Sequence, residues 1–270
     1  MGTQWIEQAN GIAWEESQLL HRAGLCHGVT GRGGGVSQGY WQSLNLSLAV
    51  GDDMCDVLEN RRRLCAALGI TVNRITTVQQ GKGNHIVVVG KEECGSGAGS
   101  EKDALLHADA LMTDIRGALL MVQIADAVPV ILFDAKHKAC AVIHAGLYNT
   151  TANITTKTVW AMAFVYGSKP AELTAYIGPS VCSDHLTISR EMADRLAMAT
   201  SNPREAVREE KGVYTADVKK LQYHILCQAG LQPDHIDVSR QCVYETPQRF
   251  FSYRRDGGRT GRMAAFAMLR

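Results

Sequence analysis

Between residues 118 and 143 the chain carries three short apolar segments in close succession, at 119–124, 128–133 and 139–143. The longest apolar stretch, 118–133, is interrupted by Gln123, Asp126 and Pro129. It is too short and too polar to span a bilayer. Segments of this length and composition predict consecutive strands instead. Further strand signals stand at 86–89 and 173–177.

Helix patterns fall between them. Met54, Val57, Leu58, Leu64, Cys65 and Leu68 follow Asp52-Asp53 and stop at Gly69, which gives a capped start, an apolar stripe and a glycine end. Val159, Met162, Ala163 and Tyr166 make a second stripe, and Val218, Leu221 and Ile225, behind Asp217, make a third. Strands and helices alternate without a regular βαβ rhythm. The expectation is one α/β domain of mixed α+β layers over residues 1–270. Gly33-Gly34-Gly35 precedes no helix pattern, which disfavours a dinucleotide-binding turn. Residues 95–100 are the one Gly/Ser-rich, flexible-looking loop.

A formal net charge of +1 leaves no global pull toward nucleic acid or membrane. Arg61-Arg62-Arg63, on the first helix, reads as a solvated basic face. The N-terminal residues offer neither a basic leader nor an apolar run, so the expected location is the cytoplasm. Eight cysteines without a CxxC pair read as free thiols, several of them in the core, and argue against a zinc ribbon.

Several segments, in order, resemble the laccase-domain (YfiH/YlmD) family. They are His27-Gly28-Val29-Thr30-Gly31-Arg32, Ser43-Leu44-Asn45-Leu46-Ser47, Glu59-Asn60-Arg61, and Ala108-Asp109-Ala110-Leu111-Met112-Thr113-Asp114. Then come Ala125-Asp126-Ala127-Val128-Pro129, His144-Ala145-Gly146, Ile177-Gly178-Pro179-Ser180 and Phe250-Phe251-Ser252-Tyr253-Arg254-Arg255-Asp256-Gly257. The resemblance implies a single α/β domain acting on purine nucleosides by phosphorolysis or deamination, with a copper-dependent phenol oxidase activity also attached to the family. It implies a His, a Cys and a second His that hold zinc or copper. Those residues sit in Gln-Val-His-Gly, Ala-Asp-Cys-Val-Pro and His-Ala-Gly-Trp-Arg-Gly segments.

In this chain the matching segments are Gln80-Gly81-Lys82-Gly83, Ala125-Asp126-Ala127-Val128-Pro129 and His144-Ala145-Gly146-Leu147-Tyr148-Asn149. Lys82 and Ala127 replace the first His and the Cys, so only His144 survives of the three ligands. A methyl group cannot ligate a metal and an ammonium repels one. The expectation is therefore no cofactor at this place and impaired nucleoside or oxidase activity. Tyr148 stands where the family's Arg would offer a guanidinium suited to phosphate.

The candidate catalytic residues are Lys82, Tyr148, Asn149 and His144. The candidate substrate-lining residues are Arg32, Asn45, Ala127, Leu147, Leu186 and Val243. A lysine walled by Ala127, Leu147 and Val243 would be desolvated and could act as a Schiff-base amine, with Tyr148 and Asn149 assisting. Three readings follow. The first is a family nucleoside enzyme with a rewritten metal site. The second is an engineered or repurposed lysine-dependent carbonyl enzyme, such as a retro-aldolase. The third is a noncatalytic binding protein. Each takes a small molecule, and none implies nucleic acid or a membrane. Asp126 reads as a strand-end anchor or a catalytic group, Asp109 and Asp114 as turn residues, and Arg254, Arg255 and Asp256 as a structural charge cluster.

Overall fold

The computed structural model describes residues 2–270. In chain order the strands are β1 (Thr3–Glu7), β2 (Ala13–Ser17), β3 (Leu25–Thr30), β4 (Ile75–Thr77), β5 (Ile86–Val88), β6 (Ala110–Thr113), β7 (Leu119–Ile124), β8 (Val128–Asp134), β9 (Ala139–Ala145), β10 (Thr174–Ile177), β11 (Thr187–Ile188), β12 (Val207–Glu210), β13 (Val213–Ala216), β14 (Ile236–Val238) and β15 (Met263–Leu269). The helices are α1 (Gln18–Arg22), α2 (Met54–Leu68), α3 (Leu147–Thr151), α4 (Ile154–Tyr166), α5 (Arg190–Ala197), α6 (Pro203–Ala206) and α7 (Val218–Gln228).

Two six-stranded sheets form the centre. One runs β1-β2-β3-β15-β7-β4 and the other β14-β10-β8-β9-β6-β5, while β11-β13-β12 make a small third sheet. The two large sheets pack face to face, with β7 and β15 lying on β9. Helices α4 and α7 cover the outer face of the second sheet. The outer face of the first supports a second core cluster, in which Leu64 and Leu68 of α2 meet Ile75, Leu119, Met121 and Phe266. The order of layers is therefore helix, sheet, sheet, helix, in agreement with the expected α/β class. Strands β8 and β9 are buried on both faces, which is why they read as unbroken apolar runs rather than alternating ones.

Local signals explain the element ends. The side chain of Asp53 caps α2 by accepting from the Cys55 amide, and Gly69 closes the helix at φ +73°. The side chain of Asp217 does the same for α7, accepting from the Lys220 amide. Two expectations are corrected here. Arg61 is no solvated charge: it is 1% exposed, and its guanidinium donates to the carbonyls of Leu46, Gly97 and Ala98. Segment 95–100 is correspondingly pinned against α2 by those same bonds. Arg62 and Arg63 pair with Glu59. All eight cysteines are free, and no helix among the described residues is long and apolar enough to cross a membrane.

Candidate active site

The register of β8 on β9 sets Pro129 opposite His144 and Val128 opposite Ala145, so residues 125–128 and 144–147 meet at one end of the second sheet. The 81–83 turn arrives beside them through Asp109, which directly precedes β6. The Asp109 backbone carbonyl accepts from the His144 amide (2.8 Å). Its carboxylate Oδ2 accepts from the Gly83 amide (3.2 Å). Hydrogen bonds to Asp109 thus join the 81–83 turn to His144, and the β8–β9 pairing brings in the third turn.

His144 lines a cleft of about 390 Å³ together with Ser47, Gln123, His107, Arg61 and Arg262. Behind it, Nδ1 lies 3.6 Å from Asp109 Oδ1. Both atoms are buried and have no hydrogen-bond partner among the described residues. At 3.6 Å the pair is just beyond a hydrogen bond. A small tightening would close it, with the imidazole proton on Nδ1 and Nε2 left to act as acceptor. Asp109 was given a turn role by the sequence. The signal that could have found it is a lone carboxylate set in the apolar run Ala108-Asp109-Ala110-Leu111-Met112, because acidic residues are rarely fully buried without a partner.

Lys82 does not occupy the desolvated pocket expected of it. It is exposed, and its Nζ lies 5.8 Å from the centre of the Tyr148 ring. The physical reason is that the expected apolar walls face elsewhere. Ala127, Leu147 and Leu186 line a separate depression of about 190 Å³ with Val181, Val218 and Tyr253. Val243 is fully buried in the core. Tyr148 is 51% exposed beside Lys82. Asn149 is buried, and its Nδ2 donates to the Gly83 carbonyl (2.9 Å), so it fastens α3 to the 81–83 turn instead of presenting an amide to substrate.

Arg32 and Asn45 are also reassigned. The Arg32 guanidinium donates to the carbonyls of Gln42 and Pro247 and lies 4.5 Å from the centre of the Phe251 ring, which pins the glycine-rich loop. In that loop a Cβ on Gly35 would run into the Ser43 carbonyl, so the glycines serve close chain packing, not phosphate binding. Asn45 is buried. Its Oδ1 accepts from the Ser47 and Arg262 amides and its Nδ2 donates to Asp52, so it supports two cleft residues from behind. Arg262 itself, missed in the sequence, has its Nη1 tied to the carbonyls of Thr260 and Gly261.

Asp126 is an anchor. At φ +80° it accepts from Ser252 Oγ and the Arg254 amide, both at 2.6 Å, and burial pushes its carboxyl up from the ordinary value. Arg255 pairs with Asp256 and donates to the carbonyls of Val243 and Phe250, which makes the C-terminal charges a brace.

The zinc or copper implied by the resemblance does not fit the residues at these positions. An ammonium turned to solvent, a methyl group and one imidazole do not make a transition-metal donor set.

The family model described as multi-copper polyphenol oxidoreductase laccase matches residues 26–270. The chain is 35% identical over 263 residues to purine nucleoside phosphorylase YlmD of Geobacillus stearothermophilus, covering 97% of this chain and 96% of that one. It is 32% identical over 240 residues to purine nucleoside phosphorylase YlmD of Bacillus subtilis, covering 88% and 86%. The solved structure of YlmD from Geobacillus stearothermophilus superposes with a TM-score of 0.93 at 33% identity, over 98% of each chain. That of the Bacillus licheniformis protein YfiH gives 0.92 at 29% identity, over 98% of this chain and 99% of that one. The chain belongs to the multi-copper polyphenol oxidoreductase laccase family, the family of the YfiH and YlmD proteins.

Proposed function

We propose that the cleft takes a purine nucleoside and that His144, backed by Asp109, is its proton-transfer group, without a metal in the place where the family's three ligands would hold one. The observation that carries this reading is the pairing of His144 Nδ1 with an Asp109 oxygen that has no other hydrogen-bond partner among the described residues, at the wall of a polar cleft. The relatives, purine nucleoside phosphorylases, suggest the substrate class.

An imidazole with its inner nitrogen turned toward a carboxylate can give a proton to a departing purine or take one from an attacking nucleophile. Gln123 offers an amide and Ser47 a hydroxyl at the same cleft, groups suited to ribose hydroxyls or purine edges. Arg262 supplies a positive charge for an anionic co-substrate such as phosphate. Without the family's metal ligands, turnover is expected to be slow, close to background for adenosine phosphorolysis and deamination. The lysine-dependent reading loses its premise with the exposure of Lys82.

Calorimetric titration with adenosine and inosine, paired with product assays in phosphate buffer, tests the reading. His144→Ala should leave nucleoside affinity within a few-fold and remove whatever turnover stands above background. Asp109→Asn should lower kcat with a smaller change in KM. Absence of nucleoside binding, or turnover indifferent to His144, would overturn it.

A further inference from the structure

Strands β10 and β14 are parallel neighbours, so their C-terminal loops leave the sheet side by side. A bridge between Ser180 and Cys242 continues that pairing into the loops, and the Val243 amide donates to the Ser180 carbonyl. The consequence lies in the next residues. One loop carries Cys182-Ser183-Asp184-His185 and the other Cys242-Val243-Tyr244-Glu245, two pairs of metal-ligating types at the same x₂ spacing.

The side chains converge. Glu245 Oε1 lies 3.1 Å from His185 Nε2 and 3.6 Å from Cys182 Sγ. One donor atom from each of the three lies within 4.8 Å of the others. Zinc bonds of ~2.0–2.3 Å imply ligand-to-ligand edges of roughly 3.3–3.8 Å in a tetrahedron, so the spacing already resembles one face of such a site. The His185 ring is stacked on Tyr244 at 4.1 Å and 16°, which fixes the imidazole plane. Cys242 stands directly behind, its Sγ accepting from the Cys182 amide at 3.3 Å. The Cys182 thiol donates to Glu245 Oε1, so Glu245 already draws the thiol and the imidazole toward one point. The neighbouring ammonium of Lys219 donates to the Gln241 carbonyl.

We propose that Cys182, His185 and Glu245 form a binding site for Zn²⁺, with Cys242 beside it as a neighbouring thiol. The donor set of one thiolate, one imidazole and one carboxylate suits zinc and leaves a fourth position open. Binding exchanges the Cys182 proton for the metal: the S–H bond is lost to solvent as a proton and an S–Zn bond forms, with no change in oxidation state. The ion would tie together the loops after β10 and β14. The first of these also carries Val181 and Leu186 into the apolar depression. Its ligands are other residues than Lys82, Ala127 and His144, and the proposal does not rest on the nucleoside reading.

The test uses the full chain, reduced and stripped of metal, titrated with Zn²⁺ against a chromophoric chelator and, separately, with Co²⁺. One ion per chain should bind, and Co²⁺ should develop the near-ultraviolet thiolate-to-cobalt band. Cys182→Ser should remove that band. His185→Gln and Glu245→Gln should weaken Zn²⁺ by at least the ~10–100-fold typical of losing an outer-shell partner. His144→Ala should leave stoichiometry and band unchanged, and circular dichroism of the metal-free variants should match that of the metal-free parent. No saturable binding, a band that survives Cys182→Ser, or a reduction-resistant Cys182–Cys242 disulfide would overturn the site.

Discussion

His27 shows how one buried side chain sets a pH limit. It is 1% exposed; Nε2 accepts from the Ser17 amide while Nδ1 donates to the Leu25 carbonyl, and the ring lies edge-on to Tyr176. Burial lowers its pKa to about 4, against an ordinary value of 6.5. The folded chain therefore refuses a proton that the unfolded chain accepts between those values. The stability this contributes is fully present above pH 6.5 and is lost as pH falls toward 4, by about 3 kcal/mol in all. Glu15, pushed up by burial, works in the opposite sense, so total stability does not isolate the effect. Urea unfolding of the parent and His27→Gln at pH 7.5 and pH 5 does. The variant should be less stable at pH 7.5 and should lose less on acidification. Equal losses would mean that His27 takes up its proton in the fold. Lys82 illustrates the limit of sequence at the same scale. The motif gave its place in the chain, but whether its amine met Leu147 or water depended on which way the turn faced. Its exposure predicts that a 1,3-diketone will label it no faster than other surface lysines, by peptide mass mapping. Selective labelling would restore the amine reading.

Elements were legible where the signal was periodic or chemical. Helix α2 runs from its capping aspartate to its glycine as expected, and strand β7 keeps its expected bounds. The N-terminal strands β1 and β2 were not seen, because Trp, Glu and Gln in those segments mask the alternation. Nor was β15, since the alanines of Met263–Leu269 carry little strand preference and become a strand only between β3 and β7. Arg61 joins the elements. It crosses from α2 to the carbonyls of Leu46, Gly97 and Ala98, and burial lowers its pKa to about 10. Arg61→Met would leave three carbonyls short of a donor, each worth ~1–3 kcal/mol if buried, while removing the cost of a desolvated charge. A net loss of about 2–4 kcal/mol is expected, read as a lower urea midpoint at unchanged slope. Arg61→Lys should rescue little, because an ammonium cannot reproduce the fork. A midpoint within error of the parent for either variant would show that the clamp is dispensable.

At the scale of the molecule, two packed sheets with helices outside leave the turns after β7 and β9 and the turn preceding β5 at one end, and Asp109 ties two of these turns together. The motifs in the sequence singled out three segments that lie at this end, because turn chemistry is local. They could not name Gln123 or Arg262 as cleft residues or Asp109 as the group behind His144, since only the packing of the sheets brings these segments together. Nor could they separate the polar cleft from the apolar depression, which diverge on either side of the strand end at 144–146. Hydrogen bonds hold the backbone of the 81–83 turn and His144 together, so a metal position should be obtainable there by side chains alone. A Cβ at Gly81 would press on Asp109 Oδ2 at 3.2 Å, Asn149 fastens the turn, and the backbone of Asp109 holds His144. Lys82→His combined with Ala127→Cys would supply the imidazole and thiol needed for a three-ligand set with His144. Metal analysis after dialysis should show one zinc per chain more than the parent. Adding His144→Ala should remove that ion and leave any bound at Cys182. Zinc should be gained before turnover is, because Tyr148 offers no guanidinium for phosphate. If the double variant gains no zinc, the 81–83 turn does not face His144 closely enough, and the rewriting of this site extends to its backbone.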